Sequence, residues 1–329
     1  MAGVLGRPGV RFILRRFSQA LLVMLLVVLM NFTVLQLAPG DMIDVLAGQS
    51  DMTAEQMAGM RQHYGLDQPV IVQLGRYFLN LATFDLGYSF HNSAPVLDVI
   101  LIRFQTTLML VVPSVLLSLV FGTVLGIAAA RNAGKPLDFL ILAAALLLYA
   151  IPSFIVAILL ILVFGVFLNW LPIGGLVSVG AGLTGMDYVL DLIRHLILPV
   201  TALCTFYIAI YARLTRASML EVSTLDFVRT ARAKGLSERR VVYVHTLRNA
   251  LMPIVTMAGL QVSALIGGAV LVETVFGLPG VGRAAFDAIF ERDTSLLLGV
   301  MFFSSLFVVL VSLVVDLIYV AIDPRLELK

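Results

Sequence analysis

The chain has 329 residues, of which 60% are hydrophobic and 13% charged, with a mean hydropathy of +1.02 and a formal net charge of +2. A soluble domain holds about 45–50% apolar and about 25% charged residues, and no soluble core of this size hides such an excess. The composition therefore excludes an ordinary soluble protein and indicates an integral membrane protein. The single cysteine, Cys204, lies in an apolar stretch, so the chain has no disulfide framework.

A membrane-spanning helix needs about 20 mostly apolar residues, because each residue rises about 1.5 Å across a core about 30 Å thick. Six stretches meet this requirement: Phe17–Leu37, Thr107–Ala130, Phe139–Leu168, Leu192–Tyr211, Leu251–Val272 and Ser295–Val320. The first, with its basic flank, is also similar to a signal peptide, but its length and the lack of an Ala-x-Ala site favour a retained helix. Pro113, Pro152 and Pro199 predict kinks, which neighbouring helices tolerate.

The basic residues predict the orientation of the six spans. Sixteen of the 22 fall in segments that are cytoplasmic if the N-terminus is inside, namely residues 1–16, 131–138, 212–250 and 321–329. An excess of lysine and arginine marks cytoplasmic segments. We therefore expect both ends in the cytoplasm, an extracytoplasmic region at residues 38–106 and a membrane domain at residues 107–320.

The extracytoplasmic region carries two helix signals. Thr53 and Gln56 form a capping box, and Gly65 is placed to end the helix that follows. A second helix is predicted from Pro69, with apolar residues repeating at helical spacing from Val70 to Leu81. We expect this apolar face to pack on the membrane domain.

The basic segment 212–250 contains a short predicted helix. Ser223 with Asp226 can begin it, and Gly235 followed by Leu236 is typical of a helix end. Three residues are predicted on one face of this helix, with two arginines projecting elsewhere: Phe227, Ala231 and Lys234, against Arg229 and Arg232. Small residues around Ala231 permit close approach of another surface. The alternative is an ordinary basic loop attracted to anionic membrane lipid.

The order of residues in this segment resembles the EAA loop of ABC importer permeases, in the version of the dipeptide, oligopeptide and nickel family. Residues 226–236 and 247–253 fit the peptide-type version throughout. Only Ala231 and Gly235 match the general Glu-Ala-Ala pattern, because Arg229 replaces the glutamate. Further family motifs follow in order along nearly the whole chain: Leu37–Asp41, Tyr64–Pro69, Asp85–Ser89, Ile151–Phe154, Glu273–Phe276, Pro279–Gly282 and Asp316–Tyr319. Met42 departs from the family, in which proline is frequent at this position.

The resemblance implies an all-α, six-span, type I ABC importer permease of the bacterial inner membrane, without catalytic activity of its own. It implies three further subunits and a binding protein as partners: a second homologous permease, two ATPases that bind ATP and Mg²⁺, and an extracytoplasmic substrate-binding protein. No cofactor, metal or nucleic acid is expected on this chain. A coupling helix at residues 224–235 would dock on an ATPase, and the resemblance assigns this contact to Asp226, Phe227, Arg229, Ala231, Arg232, Lys234, Gly235 and Leu236. The implied cargo is a di- or oligopeptide, with nickel, glutathione or opines as alternatives.

Four residues at or near the fifth stretch are candidates for an outer gate or a pathway lining: Gln261, Gly267, Gly268 and Glu273. Polar residues within a membrane are functional by default. Each candidate also has a structural interpretation: Glu273 as a cap, Gln261 as an interhelical hydrogen-bonding group and the glycine pair as a close helix contact.

The motifs that are missing from the sequence narrow the function further. There is no phosphate-cradling Gly-x-x-x-x-Gly-Lys-[Ser/Thr] loop, so the chain does not bind ATP through such a loop itself. The lack of His-Glu-x-x-His and Gly-x-Ser-x-Gly argues against a membrane hydrolase. A gradient-driven secondary transporter stays open as an alternative from another class, although only Asp316 comes near the midplane position that coupling carboxylates usually occupy.

Overall fold

The computed structural model describes residues 7–37, 43–44, 47 and 52–322, with the backbone alone at residues 7–13, 35, 63–64, 260, 262–268 and 316–322. Residues 1–6 and 323–329 of the two predicted cytoplasmic ends lie outside this description, as does most of residues 38–51. The described residues are predominantly helical and form two compact units. One unit takes the residues up to Gln105 and those from Arg283 onward, and the other is Thr106–Gly282.

In chain order the α-helices are α1 (Arg7–Leu37), α2 (Ala54–Tyr64), α3 (Val70–Ala82), α4 (Val96–Arg131), α5 (Pro136–Ala150), α6 (Ser153–Leu160), α7 (Gly185–Ser223), α8 (Asp226–Ala233), α9 (Glu238–Arg240), α10 (Leu247–Phe276), α11 (Val281–Phe290) and α12 (Thr294–Ile322). Two π-helical stretches prolong this set: Ile161–Phe167 continues α6, and Val241–Thr246 joins α9 to α10. Before α4, the short strands β1 (Tyr88–Ser89) and β2 (Ala94–Pro95) pair antiparallel, with Ser89 opposite Ala94.

The two helix signals of the extracytoplasmic region are confirmed. The Thr53 N–H donates to Gln56 Oε1 (2.9 Å) and the Gln56 N–H donates to Thr53 Oγ1 (3.3 Å), so the capping box begins α2. Gly65 ends α2 with a φ of +69°, a left-handed conformation that glycine adopts without steric cost. Pro69 directly precedes α3, as its fixed φ favours at a helix start.

Pro152 has a larger effect than the predicted kink. Two residues, Ile151 and Pro152, separate the end of α5 from the start of α6. The axis of α5 and the axis of α6 with its π-helical continuation differ by 99°. Ile151 is extended (φ −86°, ψ 123°) because the proline ring disfavours the helical conformation of the preceding residue. In contrast, α4 and α7 continue through Pro113 and Pro199. The predicted third span is therefore two helices at a steep angle rather than one.

The helices that are long and apolar enough to cross a membrane number four, or up to six if each of two bent pairs is one span, among the described residues. The four lie at Leu14–Val34, Val96–Arg131, Gly185–Ser223 and Thr294–Val315, and they contain or overlap the predicted first, second, fourth and sixth spans. The predicted third span lies on the bent pair α5 and α6. The predicted fifth lies within α10, which leads into the second bent pair, Ala269–Phe276 with Val281–Phe290. The fold is that of an all-α, polytopic membrane protein.

The core of the second unit lies where α7 packs against its neighbours. Leu110 of α4, Ala157 of α6, Leu203 of α7 and Phe276 of α10 are buried in one apolar cluster. Close packing of α4 on α7 depends on Gly122 and Gly126. A Cβ at Gly126 would overlap Thr215 of α7, and a Cβ at Gly122 would overlap Tyr211. Small residues at four-residue spacing allow helices in membranes to approach closely.

Candidate functional site

The predicted coupling helix forms as α8, with bounds that differ from the prediction at its start. It begins at Asp226, after the extended residue Leu225, rather than at residue 224. Ser223 does not cap it, because the Ser223 hydroxyl donates to the Leu220 carbonyl (2.7 Å) within the last turn of α7. The carboxylate of Asp226 lies in the first turn, where the helix dipole favours negative charge.

The end of α8 follows the prediction. Gly235 has a φ of +74° and its N–H donates to the Arg232 carbonyl (2.9 Å), while the Leu236 N–H donates to the Ala231 carbonyl (3.3 Å). These bonds satisfy carbonyls that a helix end leaves open. No heavy atom lies within 4 Å of a Cβ built on Gly235, so glycine is required here by its backbone conformation and not by lack of space.

One side of α8 packs against its own chain. Val228 and Ala231 are buried against Val241 of the π-helical stretch, with Val222 and Leu236 around them. Ala231 is 5% exposed, whereas Phe227, one turn earlier, is 42% exposed. The close approach predicted at Ala231 is therefore made by the same chain. The small side chain of Ala231 permits close approach of its own chain.

The rest of α8 and the residue that follows it are exposed and basic. Phe227, Arg229 and Lys234 are all exposed, and Lys234 has no carboxylate partner among the described residues. The Arg229 Nη1 to Asp226 Oδ1 distance is 3.7 Å at the exposed surface, a contact of the kind that contributes about 0–1 kcal/mol. Arg232 Nε donates to Glu238 Oε1 (2.8 Å) and so ties α8 to α9. The segment thus exposes positive charge and one aromatic side chain.

A cleft of about 400 Å³ separates one side of α8 from the neighbouring helices. Arg131 at the end of α4, Ser223 at the end of α7 and Thr246 of the π-helical stretch line it, together with Arg232 and Glu238. Arg232 is the residue of α8 that lines this cleft.

Asp138 and Arg216 form an ion pair next to the coupling segment. No sequence motif predicted this pair. Arg216 Nε donates to Asp138 Oδ1 (2.6 Å), and Arg216 Nη2 donates to Asp138 Oδ2 (2.8 Å). The Gly134 N–H donates to the same carboxylate (3.0 Å). This bidentate arrangement fixes the start of α5 to α7, two turns before α7 ends. Nothing in a single sequence pairs residues 78 positions apart.

Glu273, a gate candidate from the sequence, is buried with 0% exposure at the end of α10. Thr107 Oγ1 donates to Glu273 Oε1 (2.6 Å) and accepts the Val281 N–H (2.9 Å). A Cβ on Gly280 would overlap the carboxyl group of Glu273, so a larger residue at position 280 would displace that carboxyl group. The carboxylate thus lies beside the start of α11, where the helix dipole favours an anion. The geometry favours the structural cap over a pathway lining.

The structure does not distinguish between the two interpretations of the other gate candidates, Gln261, Gly267 and Gly268. Gln261 is half-buried on α10. Gly267 and Gly268 lie in the same helix, but their surroundings fall outside the described residues. Their roles as pathway or packing residues stay predictions.

The long apolar helices define a multi-pass membrane protein with an exposed basic segment between two of them. A family model described as "Binding-protein-dependent transport system inner membrane component" matches residues 122–328, and a model for the N-terminal part of such components matches residues 9–111. The chain belongs to this family, and it is a multi-pass protein of the bacterial inner membrane.

Named relatives match the chain along nearly its whole length. A provisionally named peptide transport system permease of Brucella suis biovar 1 is 40% identical over 315 residues, which cover 96% of this chain and 98% of the relative. The di/tripeptide transport system permease DppB of Pseudomonas aeruginosa is 38% identical over 330 residues (96% and 98%). The dipeptide transport system permease DppB of Escherichia coli K12 is 36% identical over 336 residues (97% and 99%).

Proposed function

We propose that this chain forms half of the translocation pathway of an ATP-driven importer of di- or oligopeptides. The names of the full-length relatives support the cargo class. The mechanism rests on α8, which is held to its own chain by Val228 and Ala231 and presents Phe227, Arg229 and Lys234 outward. A helix packed on one face and free on the other suits docking in a groove of a partner protein.

The proposed topology has six spans with both ends in the cytoplasm. It combines the four long helices and the two bent pairs with the basic bias of residues 1–16, 131–138, 212–250 and 321–329. In this orientation α8 faces the cytoplasm, and the region 38–106 faces the binding protein outside. The pathway requires a second homologous permease, and two ATPases supply ATP and Mg²⁺ binding.

In the proposed mechanism, ATP-bound ATPases close and move the α8 helices of the two permeases toward each other. Two contacts carry this movement into the membrane: the apolar contact of Val228 and Ala231 with Val241, and the hydrogen bond from Arg232 to Glu238. Both end on the stretch that leads directly into α10. Closure opens the pathway toward the docked binding protein, and hydrolysis returns it to the inward-open state.

Reconstitution of the complete complex in proteoliposomes tests this function. We expect ATP hydrolysis to be stimulated by peptide-loaded binding protein, and labelled peptide to enter only when ATPases and binding protein are present. Uptake of nickel or glutathione in place of peptide would change the cargo and keep the mechanism. Full gradient-driven uptake by the lone chain would overturn the importer and support a secondary transporter.

The orientation has its own test. Lys234→Cys on α8 and Asp85→Cys after α3 replace exposed residues in the segments predicted inside and outside. A membrane-impermeant maleimide added to intact spheroplasts is expected to modify position 85 and to spare position 234, with the reverse in inverted vesicles. The opposite labelling pattern contradicts an N-terminus inside.

A further inference from the structure

The helix α3 carries two apolar stripes, only one of which is covered. The predicted stripe faces inward, with Leu81 buried and Tyr77 half-buried. A second stripe contains Ile71 and Leu79, which are 74% and 69% exposed. Gly75 lies between them at four-residue spacing, so the three share one face. Large exposed apolar side chains on one helix face indicate a contact that the chain itself does not make.

The position of α3 is fixed by its contacts with α1. Gln36 Nε2 donates to Gln73 Oε1 (3.0 Å), and the rings of Phe32 and Tyr77 lie with centroids 5.8 Å apart. Phe32 lies five residues before the end of α1, a rise of about 7–8 Å. It also lies inside Leu14–Val34, the part of α1 that is apolar enough to cross a membrane. Part of α3 is therefore level with the end of a membrane span.

The helix α1 also exposes large apolar side chains in its second half, among them Met30 and Val34. The third face of α3 is polar, with Gln73 hydrogen-bonded to the Leu66 and Gln68 carbonyls and Asn80 exposed. A helix with a wide apolar arc and a narrow polar one lies in the plane of a membrane surface.

We propose that α3 lies in the boundary layer of the membrane where α1 ends, with the stripe of Ile71, Gly75 and Leu79 against lipid acyl chains. The ligand class is the acyl chains of phospholipids. In the proposed orientation this boundary layer belongs to the outer leaflet. The assignment of the leaflet rests on the proposed function, whereas the contact with lipid does not. Burial of two large aliphatic side chains in lipid anchors the extracytoplasmic region at a fixed depth.

Fluorescence quenching in the assembled complex tests the contact. Leu79→Cys and the adjacent Asn80→Cys, each with Cys204→Ala, carry an environment-sensitive nitrobenzoxadiazole label in nanodiscs of phosphatidylcholine. Lipids with a nitroxide on the acyl chain are included at increasing fractions. We expect quenching at position 79 to be roughly threefold stronger than at position 80, because only the apolar face enters the acyl region. Ile71→Cys provides a second position on the stripe in case the first variant assembles poorly.

Equal, weak quenching at positions 71, 79 and 80 would overturn the proposal. A label at position 79 that is shielded from water yet unaffected by nitroxide lipids would also overturn it, because a protein partner then covers the stripe. Neither result depends on uptake or ATP hydrolysis, so the importer function is tested separately. If maleimide labelling shows the opposite orientation, the stripe contacts the inner leaflet instead. The proposed contact with lipid is unchanged by that result.

Discussion

Thr107 and Glu273 form a buried hydrogen bond of 2.6 Å that connects α4 to the end of α10. Because Thr107 also accepts the Val281 N–H, one hydroxyl links the last turn of α10 to the first residue of α11. The axes of Ala269–Phe276 and Val281–Phe290 differ by 78° across this turn. Gly280 and Gly282 leave the space that the carboxylate occupies. The motif from Glu273 to Gly282 is thus a compact turn in which the Thr107 hydroxyl joins a buried acid to the first N–H of the following helix.

The first prediction concerns Thr107. Thr107→Val keeps the shape of the side chain but removes the donor to the Glu273 carboxylate and the acceptor of the Val281 N–H. We expect a loss of about 1–3 kcal/mol of stability, because buried polar groups lose their partner. The measurement is the thermal unfolding of the purified complex in detergent. Thr107→Ser is the control and should unfold close to the parent, and equal stability of the valine variant would contradict the role of the bond.

Thr215 provides the opposite case. Its hydroxyl is buried beside Gly126 and has no hydrogen-bond partner among the described residues. Thr215→Val removes an unpaired polar group without a change of shape, and such replacements are neutral or stabilising. We expect thermal unfolding at the same or a higher temperature than the parent, measured beside the Thr107 variants. A decrease as large as that of Thr107→Val would show that the hydroxyl has a partner in the membrane.

Gly235 tests the coupling segment. Its φ of +74° costs a β-branched residue about 1–3 kcal/mol of local strain. We expect Gly235→Val to reach the membrane but to lose peptide-stimulated ATP hydrolysis and uptake. Gly235→Asn should retain most of both, because asparagine adopts this conformation more readily. Ala233→Val, at an exposed helical position, controls for the added volume of the side chain. Normal coupling in Gly235→Val would contradict the prediction that the left-handed conformation at position 235 is needed for coupling.

The ion pair of Asp138 and Arg216 gives a fourth prediction, for the connection between α5 and α7. Asp138→Asn weakens both hydrogen bonds from the guanidinium, and Asp138→Arg places two cations side by side. We expect less peptide transported per ATP hydrolysed in both variants, with the larger loss for the charge reversal. The double exchange, Asp138→Arg with Arg216→Asp, should recover part of the loss. Transport per ATP that stays unchanged in every variant would confine the pair to a minor structural role.

The sequence predicted the fold well wherever the signal is local. The capping box at Thr53, the left-handed Gly235 and the start of α3 after Pro69 each depend on a few adjacent residues. Composition and apolar length identified the class of protein and the main helices. The peptide-type motif at residues 226–236 identified the family, which the full-length relatives bear out.

The errors arose where tertiary contacts decide. The helix ends before Pro152 but continues through Pro113. Groups on neighbouring helices can satisfy the carbonyl that a proline leaves without a donor, and a local sequence does not show them. The sequence did not show that Val241, ten residues after Ala231, covers Ala231 and Val228. The partners of Glu273 and Asp138 lie far away in the sequence, so neither contact could be read from it.

The inward position of Ala231 has a practical consequence for swapping subunits between importers. Val228 and Ala231 are internal packing residues of α8, and a contact with a new ATPase would leave them unchanged. Under the proposed function, an ATPase would meet the exposed residues, Phe227, Arg229 and Lys234 among them. Exchanging these exposed side chains for those of another importer is therefore the first step in fitting this permease to a foreign ATPase, because the buried residues beneath them stay as they are.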